Sequence, residues 1–411
     1  MTSKKHFFLI FILGTLSAIG PFSIDTYLPG FPAIARDLNT DVATVSLSLS
    51  SFFIGICAGQ LLYGPLLDRY GRKKPLYFGL SLYLLTSLAC AFVTSVDTLI
   101  VLRFLQAVGG CVGMVASRAM VRDLFPVEES AKVFSMLMLV IGVSPLIAPT
   151  LGGYIAAGPG WHYIFIALAV MSAAILAGVH YALPESREPD PNFSLRPPVI
   201  IGNFLGIFRE PQFYTYAFTG SIASAGLYAY ISGSPLVFME TFRVTEQQYG
   251  WIFAGIAAGL IFSSQMNSLL LRRFSSRSIL VVALSAQSLV GTSLLLGTWN
   301  GLLDVYGTVF LIFLFLCCQG FTFPNASALS MAPFKKQAGS ASALTGAIQM
   351  GLGALASAMV SVFNYHSAVP MTAVMACCAV SALGILLIGN RIIRYKARRE
   401  DAEEQAAEII M

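Results

Sequence analysis

Two residues stand out because their chemistry is wrong for their surroundings. Asp25 and Arg103 are the clearly ionisable side chains inside long apolar runs, and charged groups at such depth are costly and usually functional. An apolar cavity and a nearby arginine pull a carboxylate's protonation in opposite directions, so such a pair can hold and release a proton. Gln106 lies one turn after Arg103 and can hydrogen-bond to either group. A static ion pair that locks helices is the plainer reading of the same residues. A second concentration of chemistry is the stretch from Gly64 to Lys74, with Asp68, four bases (Arg69, Arg72, Lys73, Lys74) and Gly71. Gly64 permits close approach of a neighbouring backbone, and Gly71 suits the left-handed residue that ends a helix. Asp68 falls near a helix C-terminus, where the macrodipole disfavours an anion, so it needs a partner. Arg72 is one, and Asp123 of the Arg122-Asp123 segment completes an expected network.

The elements that must position these groups are membrane helices. The chain has 411 residues, is 56% hydrophobic and only 11% charged, with a mean hydropathy of +0.75. So little charge does not cover a water-soluble surface. A spanning helix takes roughly 20 apolar residues. By that measure the first half holds spans at 7–29, 44–66, 75–95, 98–119, 131–157 and 162–183. The second half holds 212–235, 248–270, 277–298, 303–325, 339–363 and 367–390. The expectation is an all-α membrane protein of twelve transmembrane helices in two pseudo-symmetric six-helix bundles. The bundles are 1–183 and 212–390, joined by a Pro-rich, charged linker at 184–211 and followed by a tail at 391–411. A short amphipathic helix is expected near 200–208. The N-terminal Lys4-Lys5 and the apolar run after them read as an uncleaved first span.

Orientation follows from the bases. Of 25 Lys and Arg, all but Arg36, Arg103 and Arg243 fall on the side of the N-terminus. That side is therefore cytoplasmic, and both termini lie there. The net charge of +5 serves topology and lipid contact, not nucleic acid. All seven cysteines fall within apolar runs without metal-ligand spacing, and read as packing residues. The segment after span 8, Leu269 to Arg277, keeps the apolar-Arg-aromatic order of Leu66 to Lys73 and loses its Asp and Gly. Internal repeats around a midplane site are a transporter plan.

The chain resembles the major facilitator superfamily along nearly its whole length, and within it the Bcr/CflA group of twelve-span, proton-driven multidrug exporters. Gly64, Asp68, Arg69, Gly71, Arg72, Lys73 and Lys74 match the superfamily's G-x-x-x-D-R-x-G-R-[KR]-[KR] motif. Leu99 to Gly109 is similar to the exporters' L-x-x-x-R-x-x-Q-G motif, with Ala107 for the usual glycine. Gly142, Pro145, Pro149, Gly152 and Gly153 resemble the antiporter motif of span 5, and Asp25 to Pro29 the Asp-x-Tyr-Leu-Pro stretch of the group. Some related exporters carry a second acid two turns earlier, where this chain has Ser17.

The resemblance implies a bacterial inner-membrane exporter of drugs, using protons and no cofactor, acting as a monomer among membrane lipids. A transporter of one narrow cargo, an amino acid, dipeptide or metabolite, is the alternative. In that scheme Asp25 carries the proton, and Arg103 and Gln106 line the cavity with Tyr228 and Tyr230, joined by Trp251. Asp25 lies roughly 6 Å and Arg103 roughly 9 Å from the outer ends of their spans, so they are expected to meet across the cavity. The network of Gly64, Asp68, Arg69, Gly71, Arg72 and Asp123 is expected to hold the cytoplasmic side shut and to break when that side opens. Gln265, Asn267, Gln287, Gln319, Asn325 and Gln349 either line the cavity or join helices. No catalytic motif and no ATP-binding loop is present, so an enzyme is not expected.

Overall fold

A computed structural model describes residues 3–125, 127–190, 202, 205–334, 338–363 and 367–410. Much of the linker, Lys335, Lys336 and His366 therefore lie outside the described residues, as do 200, 201, 203 and 204, whereas 205–208 are helical. Helix is the form apolar runs of this length take in a membrane, because it satisfies every backbone group within the segment. Among the described residues twelve long helices result. The first half holds α1 (Ser3–Asp25), α2 (Val42–Tyr70), α3 (Lys73–Cys90), α4 (Val96–Leu124), α5 (Val127–Ala157) and α6 (His162–Tyr181). The second holds α7 (Pro211–Pro235), α8 (Glu246–Leu270), α9 (Ser276–Trp299), α10 (Val305–Met331), α11 (Ala338–Val362) and α12 (Val369–Ile410). All but α3 form or belong to the eleven stretches long and apolar enough to cross a membrane among the described residues; α3 starts on two lysines.

The ends are set locally. Asp41 caps α2 by accepting from the Thr44 amide at 2.6 Å, and Asp304 caps α10 through Gly307 at 2.8 Å. Thr245 and Gln248 form a capping box on α8. Several boundaries differ from the sequence reading, three of them near the candidate site or the tail. Span 1 ends at Asp25, and a tight turn at Leu28–Gly30 leads into a short helix, Phe31–Asp37. Helix α2 runs on to Tyr70, which puts Asp68 and Arg69 on its last turn and leaves only Gly71 and Arg72 as the connection. Helix α12 continues unbroken through the tail to Ile410.

Packing repeats with an offset of six. In the first half α1 packs on α4 and α5, α4 on α2 and α3, and α3 on α6. In the second α7 packs on α10 and α11, α10 on α8 and α9, and α9 on α12. The two six-helix halves meet mainly through α2 on α11 and α5 on α8, which are also exchanged by the offset. Such a seam, with one repeat able to rock on the other, is how inverted and parallel repeats enclose a central site.

Candidate functional site

Arg103 sits at the centre of the first half and is fully buried. Its guanidinium donates to Gln106 Oε1 at 2.5 Å and to the Ser23 carbonyl at 3.1 Å. Gln106 passes the network on by donating to Ser87 Oγ at 2.7 Å. Rings surround the cation: Phe52 at 4.2 Å, Tyr27 at 4.5 Å and Phe165 at 5.8 Å from its central carbon. Desolvated cation–π contacts of this kind contribute about 2 kcal/mol each. One guanidinium nitrogen, Nε, has no hydrogen-bond partner. Ser23 also meets the Tyr83 hydroxyl at 2.5 Å, so helices α1, α3 and α4 are tied together here.

Asp25 does not join this network, which corrects the expected meeting with Arg103. Among the described residues its carboxylate makes no hydrogen bond and no ion pair. The depth argument holds, since Arg103 reaches the carbonyl of Ser23, two residues before Asp25. Two residues along a helix is a rotation of roughly 200°, so Ser23 and Asp25 face opposite ways. Asp25 is buried, with 4% of its surface exposed. It lies close enough to Tyr228, Tyr230 and Tyr249 of the second half to interact electrostatically with all three. Tyr249 is tied to Ser234 at 2.8 Å, whereas the buried Tyr230 hydroxyl has no partner. Tyr228 packs edge-on to Phe53 of α2, with ring centroids 4.8 Å apart. Trp251 takes no part, being 61% exposed. Ser17, two turns before Asp25, bonds to Ser117 at 2.7 Å.

The connection between α2 and α3 is built around Arg72. Its Nε donates to Asp123 at 2.8 Å and its Nη1 to Asp68 at 3.0 Å. Burial pushes the Arg72 guanidinium down, but the bonds to Asp123 and Asp68 outweigh it and raise it above its ordinary value. The start of the linker completes the network, which the sequence reading missed. Arg187 donates to Asp68 at 2.9 Å, Ser186 to Asp123 at 3.0 Å, and Glu185 accepts from the amides of Arg72 and Lys73 at 2.7 and 3.1 Å. Glu185 thereby occupies the α3 N-terminus, where an anion is favoured. The signal was an acid and a base directly after Pro184, but nothing in their spacing points at the loop. Arg69 reaches the Asp190 carbonyl at 3.4 Å. Gly71 has φ 79° and ψ 178°, a region that only glycine populates readily. Gly64 has open space where a side chain would stand, so it does not serve a close approach.

The network is intact and lies beside a cavity of about 470 Å³ between the halves at that same, base-rich end. Asp68, Arg72, Asp123 and the linker start all belong to one side of the seam. The cavity is lined by α2, α4, α10 and α11, and its polar surface includes Gln60, Arg118, Arg122 and Gln349. At the opposite end the halves touch, leaving a surface cleft of about 340 Å³ between residues such as Arg36 and Met239. Ser46 meets Ser232 at 2.6 Å and Ser50 meets Ser357 at 2.7 Å. A side chain at Gly153 would come within 2.6 Å of the Glu246 carbonyl, and one at Gly250 within 2.9 Å of the Pro149 carbonyl. Gly152 abuts the Thr26 backbone within the first half, while Gly142 is not closely packed. Helix α5 continues through Pro145 and Pro149.

A second polar network lies in the other half. Gln287 donates to Gln319 Oε1 at 3.0 Å, Gln319 donates to Ser224 Oγ at 2.8 Å, and Thr322 donates to Gln287 Oε1 at 3.3 Å. Asn325 donates to Asn267 at 2.7 Å, so four of the six polar residues in the apolar runs join helices. Gln349 lines the cavity and Gln265 is exposed.

Residues 8–358 match the family model of the Major Facilitator Superfamily. The chain is 32% identical to a bicyclomycin resistance protein homolog of Haemophilus influenzae, over 96% of this chain and 99% of that protein. It is 27% identical to multidrug resistance protein D of Escherichia coli, over 87% and 89% of the two chains. In structure it is similar to a D-xylose-proton symporter, with a TM-score of 0.71 at 13% identity over 92% and 97% of the two chains.

Proposed function

Since the chain belongs to the Major Facilitator Superfamily, whose members are transporters and not enzymes, we propose that it exports drugs or other small molecules in exchange for protons by alternating access. The observation that carries this reading is the place of Asp25. It is a buried carboxylate of the first half that lacks an ionic partner and faces three tyrosines of the second half. A group so placed can carry a proton or meet a cationic cargo, whose charge the rings also attract. Proton and cargo then compete for one carboxylate, and competition couples their movements.

The excess of bases on one side supports a bacterial inner-membrane protein whose N- and C-termini and linker face the cytoplasm. The base-rich end, with its cavity, is then the side from which cargo enters. The shut end, sealed at Gly153 and Gly250, must part for release. The Asp68–Arg72–Asp123 network acts in this scheme as a brace that keeps α2, α3, α4 and the linker moving as one body. One chain supplies both halves of the path, so a monomer suffices, and protons replace any cofactor.

The test is purified protein in liposomes under a pH gradient, with proton movement followed as a drug is added. Wild type is expected to move protons on drug addition, and Asp25→Asn to lose both that response and uphill transport. Uphill transport by Asp25→Asn with an unchanged proton response would overturn the coupling role. A susceptibility panel in a host without its own exporters then defines the cargo range.

A further inference from the structure

The cavity at the base-rich end carries a charge pattern that proton coupling at Asp25 does not use. Arg118 and Arg122 lie one turn apart on α4, and both are exposed. Like charges at this spacing repel, so the pair costs stability unless something else offsets it. Among the described residues neither arginine has a hydrogen bond or an ion pair. None of the described residues lining the cavity is Asp or Glu. By contrast Arg72, nearby in the same half, takes two carboxylates. The rest of the wall mixes soft apolar side chains, among them Met114, Phe323 and Met350, with neutral polar ones such as Gln60 and Gln349. Thioether side chains adapt to varied shapes. The volume of about 470 Å³ falls in the range of small-molecule sites.

We propose that this cavity binds an amphipathic anion, a carboxylate or phosphate on an apolar body, with Arg118 and Arg122 holding the charge. Arginine suits the role because its planar fork matches both oxyanions. The proposal rests on the transport reading only for its direction, the site being an entry station on the cytoplasmic side. It widens the cargo from cations that Asp25 would attract to anions and zwitterions. Such a cargo would meet the arginines first, with the methionines and Phe323 against its apolar body.

The probe pair is dansyl-leucine and its methyl ester, which differ by one negative charge. Both are titrated by fluorescence against the purified full chain in neutral detergent, without any gradient. The carboxylate is expected to bind at least about tenfold tighter than the ester at low salt. That preference should shrink as salt rises and vanish in the double variant R118Q/R122Q. The variant R118K/R122K keeps the charge and should keep most of the preference, which separates charge from packing. Equal binding of acid and ester by wild type, or a preference that survives R118Q/R122Q, would overturn the site. Repeating the titration in phosphatidylcholine nanodiscs with and without phosphatidylglycerol distinguishes the source of the anion. Displacement by phosphatidylglycerol assigns a lipid phosphate, and its failure to displace assigns soluble cargo. Because no gradient is applied, failure of proton coupling in Asp25→Asn leaves this result standing.

Discussion

The two halves each tie three helices with a polar network at equivalent places, and the two networks are chemically unlike. In the first half Arg103 and Gln106 of α4 link to α1 and α3. In the second, Gln319 and Thr322 of α10 link to α7 and α9. The second network is neutral, and each glutamine both donates and accepts. The first buries a full positive charge with no carboxylate, leans on aromatic faces and leaves Nε unpaired. A buried charge without an opposite charge is poor material for stability, because its desolvation is not repaid. What it gains is a field in the half that also carries Asp25. The comparison teaches that equivalent places in the two repeats hold a neutral helix tie in one and a buried charge in the other, and the proposed transport reading gives that charge a role.

The largest expected effect breaks the comparison at its charged side. Arg103→Gln removes the cation and leaves a side chain that can still hydrogen-bond to Gln106 or the Ser23 carbonyl. Transport in liposomes should fall to background, while the melting temperature in detergent should change little. Retained transport would mean that the charge is structural and that the two networks are equivalent after all.

Next in size is the neutral side. Gln319→Leu strands the Gln287 amide and the Ser224 hydroxyl in an apolar interior, which should cost about 2 kcal/mol of stability. The melting temperature should drop clearly, and the transport rate of the surviving protein should stay close to wild type. A loss of transport without a loss of stability would show that the second half also carries function in its core.

Much of this was legible from residues alone. The apolar runs gave all twelve helices, because length and hydropathy leave few alternatives in a membrane. The Asp68–Arg72–Asp123 contacts followed from an anion at a helix C-terminus needing cations nearby. The failure at Asp25 and Arg103 has a simple cause. Rise per residue fixes depth, and depth was right, but the rotation of a helix about its axis is set by packing that no single helix encodes. The all-round apolar character of α1 offers no polar face from which to read it. The linker contacts of Glu185, Ser186 and Arg187 were hidden for another reason: a Pro-rich connection has no periodicity, so nothing in it says which residues turn back.

The finest test compares two serines that do the same structural job. Ser87 accepts from Gln106, and Ser224 accepts from Gln319, at 2.7 and 2.8 Å. Both serines are buried. Ser87→Ala and Ser224→Ala therefore remove the same atom from the same kind of bond, and each should cost about 1 kcal/mol. Their melting temperatures should fall together. Transport should not: freeing Gln106 lets its amide turn away from α3 and shifts the field around Arg103, so Ser87→Ala should slow transport in liposomes several-fold while Ser224→Ala leaves it alone. Equal slowing by both would attribute the effect to loosened packing, and the contrast between a charged centre and a neutral tie would lose its functional meaning.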